Sequence, residues 1–145
     1  MTPTEAIEQL AIVATTIDGI REAQYPATGQ TPKYPSLVLL WGETSIVYQS
    51  TEQYWSMSVR GLLLTGLVNE LKHHVAEVDP LIAKVADKFS AGNLDGFTLR
   101  RTDGEMCDGC QLTGVEPSSL ISYGGTDHYG ANLTFSIELR RFYNS

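Results

Sequence analysis

The chain has 145 residues, of which 42% are hydrophobic and 19% are charged, as is typical of a folded protein. Its length fits a single domain over residues 1–145. The net charge of −7 argues against tight nucleic-acid binding, which needs clustered lysine and arginine. We also expect no membrane span, because apolar runs of about four residues fall far short of the roughly 20 that a spanning helix needs.

An amphipathic helix is predicted at the start of the chain. Thr2 is suited to cap it, Pro3 to occupy its first turn, and Glu5 to return a hydrogen bond to the cap. Apolar residues then recur at spacings of three or four, which places them on one helix face. These residues are Ala6, Leu10, Val13, Ile17 and Ile20.

Three strands are predicted next. Residues 36–41 have a strand-forming composition, the Gly-Glu-Thr tripeptide at 42–44 is expected to form a tight turn, and residues 45–49 form the second strand. In the third strand, at residues 54–64, apolar and polar side chains alternate, as on a strand with one buried face. Of the aromatic residues in the predicted strands, we expect most to pack in the core or across strands and a few to stay exposed and serve protein contacts. These aromatic residues are Trp41, Tyr48 and Tyr54 here and Tyr123, Tyr129, Phe142 and Tyr143 near the last two strands.

A second amphipathic helix should follow. Pro80 lies inside its apolar pattern, so we expect either a kink or a new helix capped at Asp79. The adjacent His73 and His74 would point about 100° apart and could not bind one ion together. The apolar positions are Val68, Leu71, Val75, Val78, Ile82, Val85 and Phe89.

The last third of the chain is predicted to contain a short strand, a long loop and two closing strands. The short strand is expected at residues 97–101 and the loop at 102–117, with one extended piece at 111–115. Gly124 and Gly125 mark the turn between the closing strands. In the last strand apolar and polar residues alternate, so one face should be buried. The apolar set is Ala131, Leu133, Phe135, Ile137 and Leu139.

These patterns predict an α+β fold. We expect a mostly antiparallel sheet of about four to six strands packed against two α-helices, in the chain order α-β-β-β-α-β-β-β. The chain lacks a Gly-x-Ser-x-Gly nucleophile motif and a phosphate-binding loop. We therefore expect no catalytic residues, no cofactor and no enzymatic activity.

Cys107 and Cys110 form a Cys-x-x-Cys motif. A redox pair would sit at a helix N-terminus, whereas the glycine and aspartate around these residues indicate a loop. A structural zinc ion needs four ligands, and His128, or His73 with His74, would have to complete the set from a distance. We therefore expect incidental loop thiols and no metal site. A small metal- or thiol-dependent protein remains the alternative from another functional class.

Three phrases of the sequence carry a family resemblance. They are Tyr34-Pro-Ser-Leu-Val-Leu-Leu40, Tyr54-Trp-Ser-Met-Ser-Val-Arg60 and Leu120-Ile-Ser-Tyr-Gly-Gly-Thr-Asp-His-Tyr-Gly-Ala131. With these phrases and the predicted element order, the chain resembles the tail-terminator and tail-completion proteins of long-tailed bacteriophages, the lambda-type terminator family. The resemblance covers nearly the whole chain, and the Cys107 to Cys110 segment departs from it.

The resemblance implies a structural role in the virion. Such proteins form a six-membered ring at the head-proximal end of the tail tube, after assembly in the cytoplasm of the host. The ring stops tube polymerisation and offers a surface to the head-side connector. DNA passes through its lumen without specific binding. The expected partners are therefore other copies of the chain, the tail tube protein and the connector, and another head–tail neck-ring protein is the alternative.

A closed ring needs a heterologous contact, in which one patch meets a different patch on the neighbour. We expect the contact residues in three polar segments, at 42–45, 50–53 and 102–117. The candidates are Gly42, Glu43, Thr44, Ser50, Glu52, Gln53, Asp103, Glu105 and Asp108.

Overall fold

The fold is α+β, as predicted. The structure is a computed structural model that describes residues 1–30, 33–67, 71–99 and 107–142. None of the helices in these ranges is long and apolar enough to cross a membrane. The elements are α1 (Pro3–Ala14), β1 (Glu22–Gln24), β2 (Ser36–Tyr48), β3 (Glu52–Leu67), α2 (Leu71–Lys88), α3 (Leu94–Phe97), β4 (Gly109–Tyr123) and β5 (Thr126–Phe142).

The strands form a five-stranded sheet in the order β1-β2-β3-β5-β4. The short β1 runs parallel to β2, and all other neighbours are antiparallel, so the predicted mostly antiparallel sheet is confirmed. The β2–β3 connection lies at one end of the sheet, which we call the turn end. The β4–β5 connection lies at the opposite end, which we call the hairpin end.

The two faces of the sheet differ in what covers them. The helices pack on one face, where Leu10 of α1 and Phe89 beyond α2 share a core with Phe135 of β5. The opposite face, called here the open face, carries a smaller apolar cluster of buried residues. That cluster contains Val38, Leu62, Leu64 and Ile121.

The alternation predicted for the last strand is confirmed. Ala131, Leu133, Phe135, Ile137 and Leu139 are all buried beneath the helices. The residues between them point to the open face and are half-buried or exposed. The period of two therefore reports a strand with one face in the core.

The first helix begins as its sequence predicts and ends sooner. Thr2 and Glu5 form the capping box, with each side chain accepting a hydrogen bond from the other residue's backbone. The helix ends at Ala14, so Ile17 and Ile20 of the predicted stripe lie beyond it. Both are nevertheless buried, because the chain after the helix stays against the core.

The second helix is continuous from Leu71 to Lys88 and includes Pro80. The prediction of a new helix capped at Asp79 is therefore wrong. A proline removes one backbone donor from a helix interior. Here the packing of Val78, Leu81 and Val85 into the core accompanies the uninterrupted helix.

The predicted turn at 42–44 is wrong, because β2 runs straight through it. Trp41 pairs with Val59 and Thr44 with Met57, so two residues of β2 face the single Ser58 of β3. This is a β-bulge, which inserts one extra residue without reversing the chain. A Cβ atom at Gly42 would lie 2.8 Å from the Ser58 carbonyl oxygen, so the bulge explains the glycine. The chain reverses instead between Tyr48 and Glu52.

The segment after α2 also differs from the prediction. Phe97 belongs to the short helix α3 rather than to a strand, and the predicted strand residues 100–101 lie outside the described residues. Much of the predicted loop at 102–117 is the first half of β4. Its glycine and proline signals are those of an edge strand, where Pro117 and irregular pairing are tolerated.

Candidate functional site

The half of the sheet toward the turn end holds parts of the three polar segments that the sequence singled out. The reversal between Tyr48 and Glu52 forms this end. The bulge at Gly42 and Glu43 lies midway along β2, and Asp108 directly precedes β4 on the other side of β5. The structure therefore brings together segments that are far apart in sequence. Asp103 and Glu105 lie outside the described residues.

A shallow groove of about 370 Å³ lies on the open face near this end, with Glu43 at its rim. Most of its lining consists of hydroxyl side chains from four neighbouring strands, and none of its lining residues is basic. Such a surface can exchange hydrogen bonds with a polar partner but offers no positive charge to a phosphate. The hydroxyl residues are Ser45, Ser56, Ser58, Thr113, Thr134 and Ser136.

Asp108 is fixed beside the last strand. Its backbone N–H donates to the Glu138 carbonyl oxygen over 2.8 Å. Its carboxylate lies 4.0 Å from Nε of Arg140, and both side chains are about half exposed. The Glu138 carboxylate in turn accepts a 2.7 Å hydrogen bond from the Ser56 hydroxyl. Asp108 and Arg140 therefore form a half-exposed ion pair, and Glu138 contacts the groove residue Ser56.

The reversal itself is ordered by hydrogen bonds within its own strands. Tyr54 donates its hydroxyl to the Glu52 carboxylate, and this hydrogen bond raises the pKa of the tyrosine. The Trp55 indole donates to the Gln53 amide oxygen over 3.0 Å, and the Arg141 guanidinium lies 5.5 Å from the centre of the Trp55 ring. Of the candidates in this segment, Ser50 is exposed, while Glu52 and Gln53 brace the neighbouring aromatic rings.

The two cysteines are core residues. Cys107 lies in the loop before β4, as expected, whereas Cys110 lies in β4, so the expectation of a loop thiol is wrong for Cys110. Cys107 and Cys110 are both buried and unpaired. The Cys107 thiol lies 3.6 Å from the Phe97 carbonyl oxygen, and Cys110 belongs to β4 opposite Ile137. Burial raises the pKa of the Cys107 thiol to about 12 and raises that of Cys110 as well. Such thiols remain protonated and are poor nucleophiles and metal ligands.

His128 lies far from these thiols. His128 of β5 pairs with Ile121 of β4. Cys110 lies eleven residues before Ile121 on β4. The Nε2 atom of His128 lies 3.0 Å from the Tyr123 carbonyl oxygen, and its Nδ1 atom lies 2.7 Å from the Tyr34 hydroxyl. Because a carbonyl oxygen only accepts, Nε2 is the donor in the first of these hydrogen bonds. Both ring nitrogens are thus engaged in structural hydrogen bonds.

No three-residue group of metal-ligand side chains occurs among the residues whose side chains the structure describes. The side chains of His73 and His74 lie outside that part of the chain. The absence of a metal site therefore stays a prediction. Comparison with known proteins finds no matching family model and no significantly similar curated protein.

A polar network at the hairpin end had no signal in the sequence. The Tyr123 hydroxyl donates to the Gln24 amide oxygen over 2.7 Å and accepts from the Gly29 N–H over 2.8 Å. Gln24 is nearly buried, and its amide donates to Glu22. Because these partners are more than 90 residues apart in sequence, only the assembled sheet brings them together. The network fixes the loop after β1 against the β4–β5 turn.

Proposed function

We propose that the protein is a ring-forming structural subunit at the head-proximal end of a bacteriophage tail tube. In this role it stops tube polymerisation and offers a surface to the head-side connector. The proposal rests chiefly on the whole-chain sequence resemblance. It is supported by an α+β fold in which helices cover one face of a mostly antiparallel sheet.

The charge of the chain supports a lumen through which DNA slides. The net charge is −7, and the described residues lining the open-face groove include Glu43 and no lysine or arginine. A net negative charge disfavours phosphate binding by the subunit as a whole. An acidic ring therefore lets the genome pass without binding it.

The turn end offers the surface best suited to a neighbouring subunit. Ser50 is exposed at the reversal, and Glu43 and Asp108 are exposed in the same half of the sheet. A polar contact of this kind forms a weak interface in isolation and a stable one when repeated around a ring and seated on the tube. The subunit is accordingly expected to complete its ring on the growing tail.

Deletion of the gene from the genome that carries it tests the proposal. Electron microscopy of lysates should show tails of uncontrolled length, or tails that do not join heads. Labelled protein in complemented particles should lie at the head-proximal tip of the tube. A position inside the head–tail connector would favour the neck-ring alternative. Tails of fixed length joined normally to heads in the deletion strain would refute both.

Complementation with charge variants tests the surface assignment. Asp108→Lys should rescue assembly poorly while keeping the thermal stability of the wild type, because Asp108 is exposed and surface substitutions change stability by less than about 0.5 kcal/mol. Glu8→Lys is the matched control, since Glu8 is exposed on α1, within the helix layer that covers the other face. Equal rescue by both variants would remove this segment from the contact.

A further inference from the structure

Among the described residues, the outer edge of β2 has no strand partner over most of its length. β2 pairs with β3 along one side, and β1 covers the other side only at Ser36–Val38. No other described strand pairs with the segment from Leu39 to Tyr48. In an edge strand, every second residue directs its N–H and C=O groups outward, ready to form a ladder with another strand.

The opposite edge of the sheet is protected against such pairing. β4 carries Pro117, which lacks a backbone donor, and its register is interrupted near Gly114 and near Leu120. Prolines and bulges are features that keep edge strands from pairing with other chains. Residues 44–48 of β2 contain neither, since the single bulge of this strand ends at Thr44. The β4 edge is therefore protected against pairing with another chain, whereas the β2 edge at residues 44–48 is not.

The side chains of the free β2 segment are also suited to a strand contact. Val47 and Tyr48 are 59% and 63% exposed, and Trp41 is 43% exposed on the same strand. Residues 44–51 contain no charged side chain, although the chain carries a net charge of −7. Exposed β-branched and aromatic residues without charge favour strand pairing and lack the lysines that usually prevent it.

We propose that the free edge of β2 pairs antiparallel with the same segment of a second copy of this chain. The β4 edge is unsuited to a regular ladder, and β1 is only three residues long. Self-pairing centred on Ile46 places Glu43 opposite Gln49, so no like charges face each other. β1 does not obstruct the contact, because it lies beside Ser36–Val38 in each copy.

This contact is isologous and closes on itself as a two-fold dimer, whereas a ring needs a heterologous contact. It is therefore independent of the proposed tail function. One strand ladder buries less area than the roughly 1,000 Å² of a stable interface. The dimer should accordingly be weak, with a dissociation constant in the high micromolar range.

Sedimentation velocity of the purified full chain from low micromolar to near-millimolar concentration tests the proposal. The wild type should shift from monomer to dimer as concentration rises. Val47→Lys should weaken dimerisation about tenfold or more, because it places like charges next to the two-fold axis. Amide hydrogen exchange of residues 44–48 should slow at high concentration in the wild type and not in the variant.

Val115→Lys is the matched control. Val115 is 42% exposed on β4, the protected edge, so this variant should dimerise like the wild type. Tyr48→Lys provides a second disrupting substitution at another exposed position. A wild type that stays monomeric at all concentrations would overturn the proposal. So would equal effects of the two valine substitutions, or a hexamer in place of the dimer.

Discussion

Phe135 lies at the centre of the fold, and its truncation tests the strand register directly. The side chain is fully buried, opposite Val59 on β3 and Leu112 on β4. Its ring meets Phe89 edge to face, with centroids 5.3 Å apart. Phe135→Ala should lower the free energy of unfolding by about 3–5 kcal/mol through the cavity it leaves. An edge-to-face aromatic pair such as Phe89 with Phe135 contributes about 0.5–1.5 kcal/mol beyond the burial of its area.

Urea denaturation followed by far-UV circular dichroism measures this loss. Since a domain is stable by about 5–15 kcal/mol, Phe135→Ala could unfold outright. Phe135→Leu is the milder substitution for that outcome. Because leucine keeps much of the side-chain volume, it should lower the free energy of unfolding by about 1.5 kcal/mol or less. Thr134→Ala is the control: Thr134 faces the open side, and the backbone carbonyl that accepts from Thr113 remains. Equal effects at 134 and 135 would show that the register is wrong.

Two further changes test the polar network and the buried thiols. Tyr123→Phe removes the hydroxyl that joins Gln24 to Gly29 and should cost about 1–3 kcal/mol, with faster amide exchange at Gly29; unchanged exchange would contradict the network. The Cys107 pKa is raised from 9.0 to about 12, so the folded state keeps its proton where the unfolded state loses it. Stability should therefore fall as pH rises from 9.0 toward 12, and this fall should be shallower in Cys107→Ala. Ellman's reagent should also react with Cys107 and Cys110 only after unfolding; rapid reaction of the native protein would refute their burial.

The elements that sequence predicted best are those that local chemistry determines. Thr2 and Glu5 form a capping box within one turn of helix, so their identity alone specifies the start of α1. β5 is long and buried on one face, so its apolar residues alternate over most of its length. In both cases the information lies within a short stretch of chain.

The elements predicted wrongly depend on partners far away in sequence. Gly42 and Glu43 have turn chemistry, yet pairing with β3 keeps the strand extended and turns the glycine into part of a bulge. The glycines and Pro117 of β4 resemble a loop, yet β5 pairs with this segment along one side, with two interruptions of register. The candidate site also depends on residues that are distant in sequence. Its segments were identified from polarity, but their meeting in one half of the sheet depends on strand order.

The position of β5 has a consequence for synthesis of the chain. β5 is the last described strand in sequence, yet it lies between β3 and β4 and pairs with both along nearly their whole lengths. As the chain leaves the ribosome, β3 and β4 therefore remain without their shared neighbour until residues 126–142 have emerged. Completion of the sheet must wait for this insertion, and a nascent chain stalled before it leaves one edge of β3 and the whole of β4 unpaired. Such an intermediate is the species that a chaperone would be expected to bind.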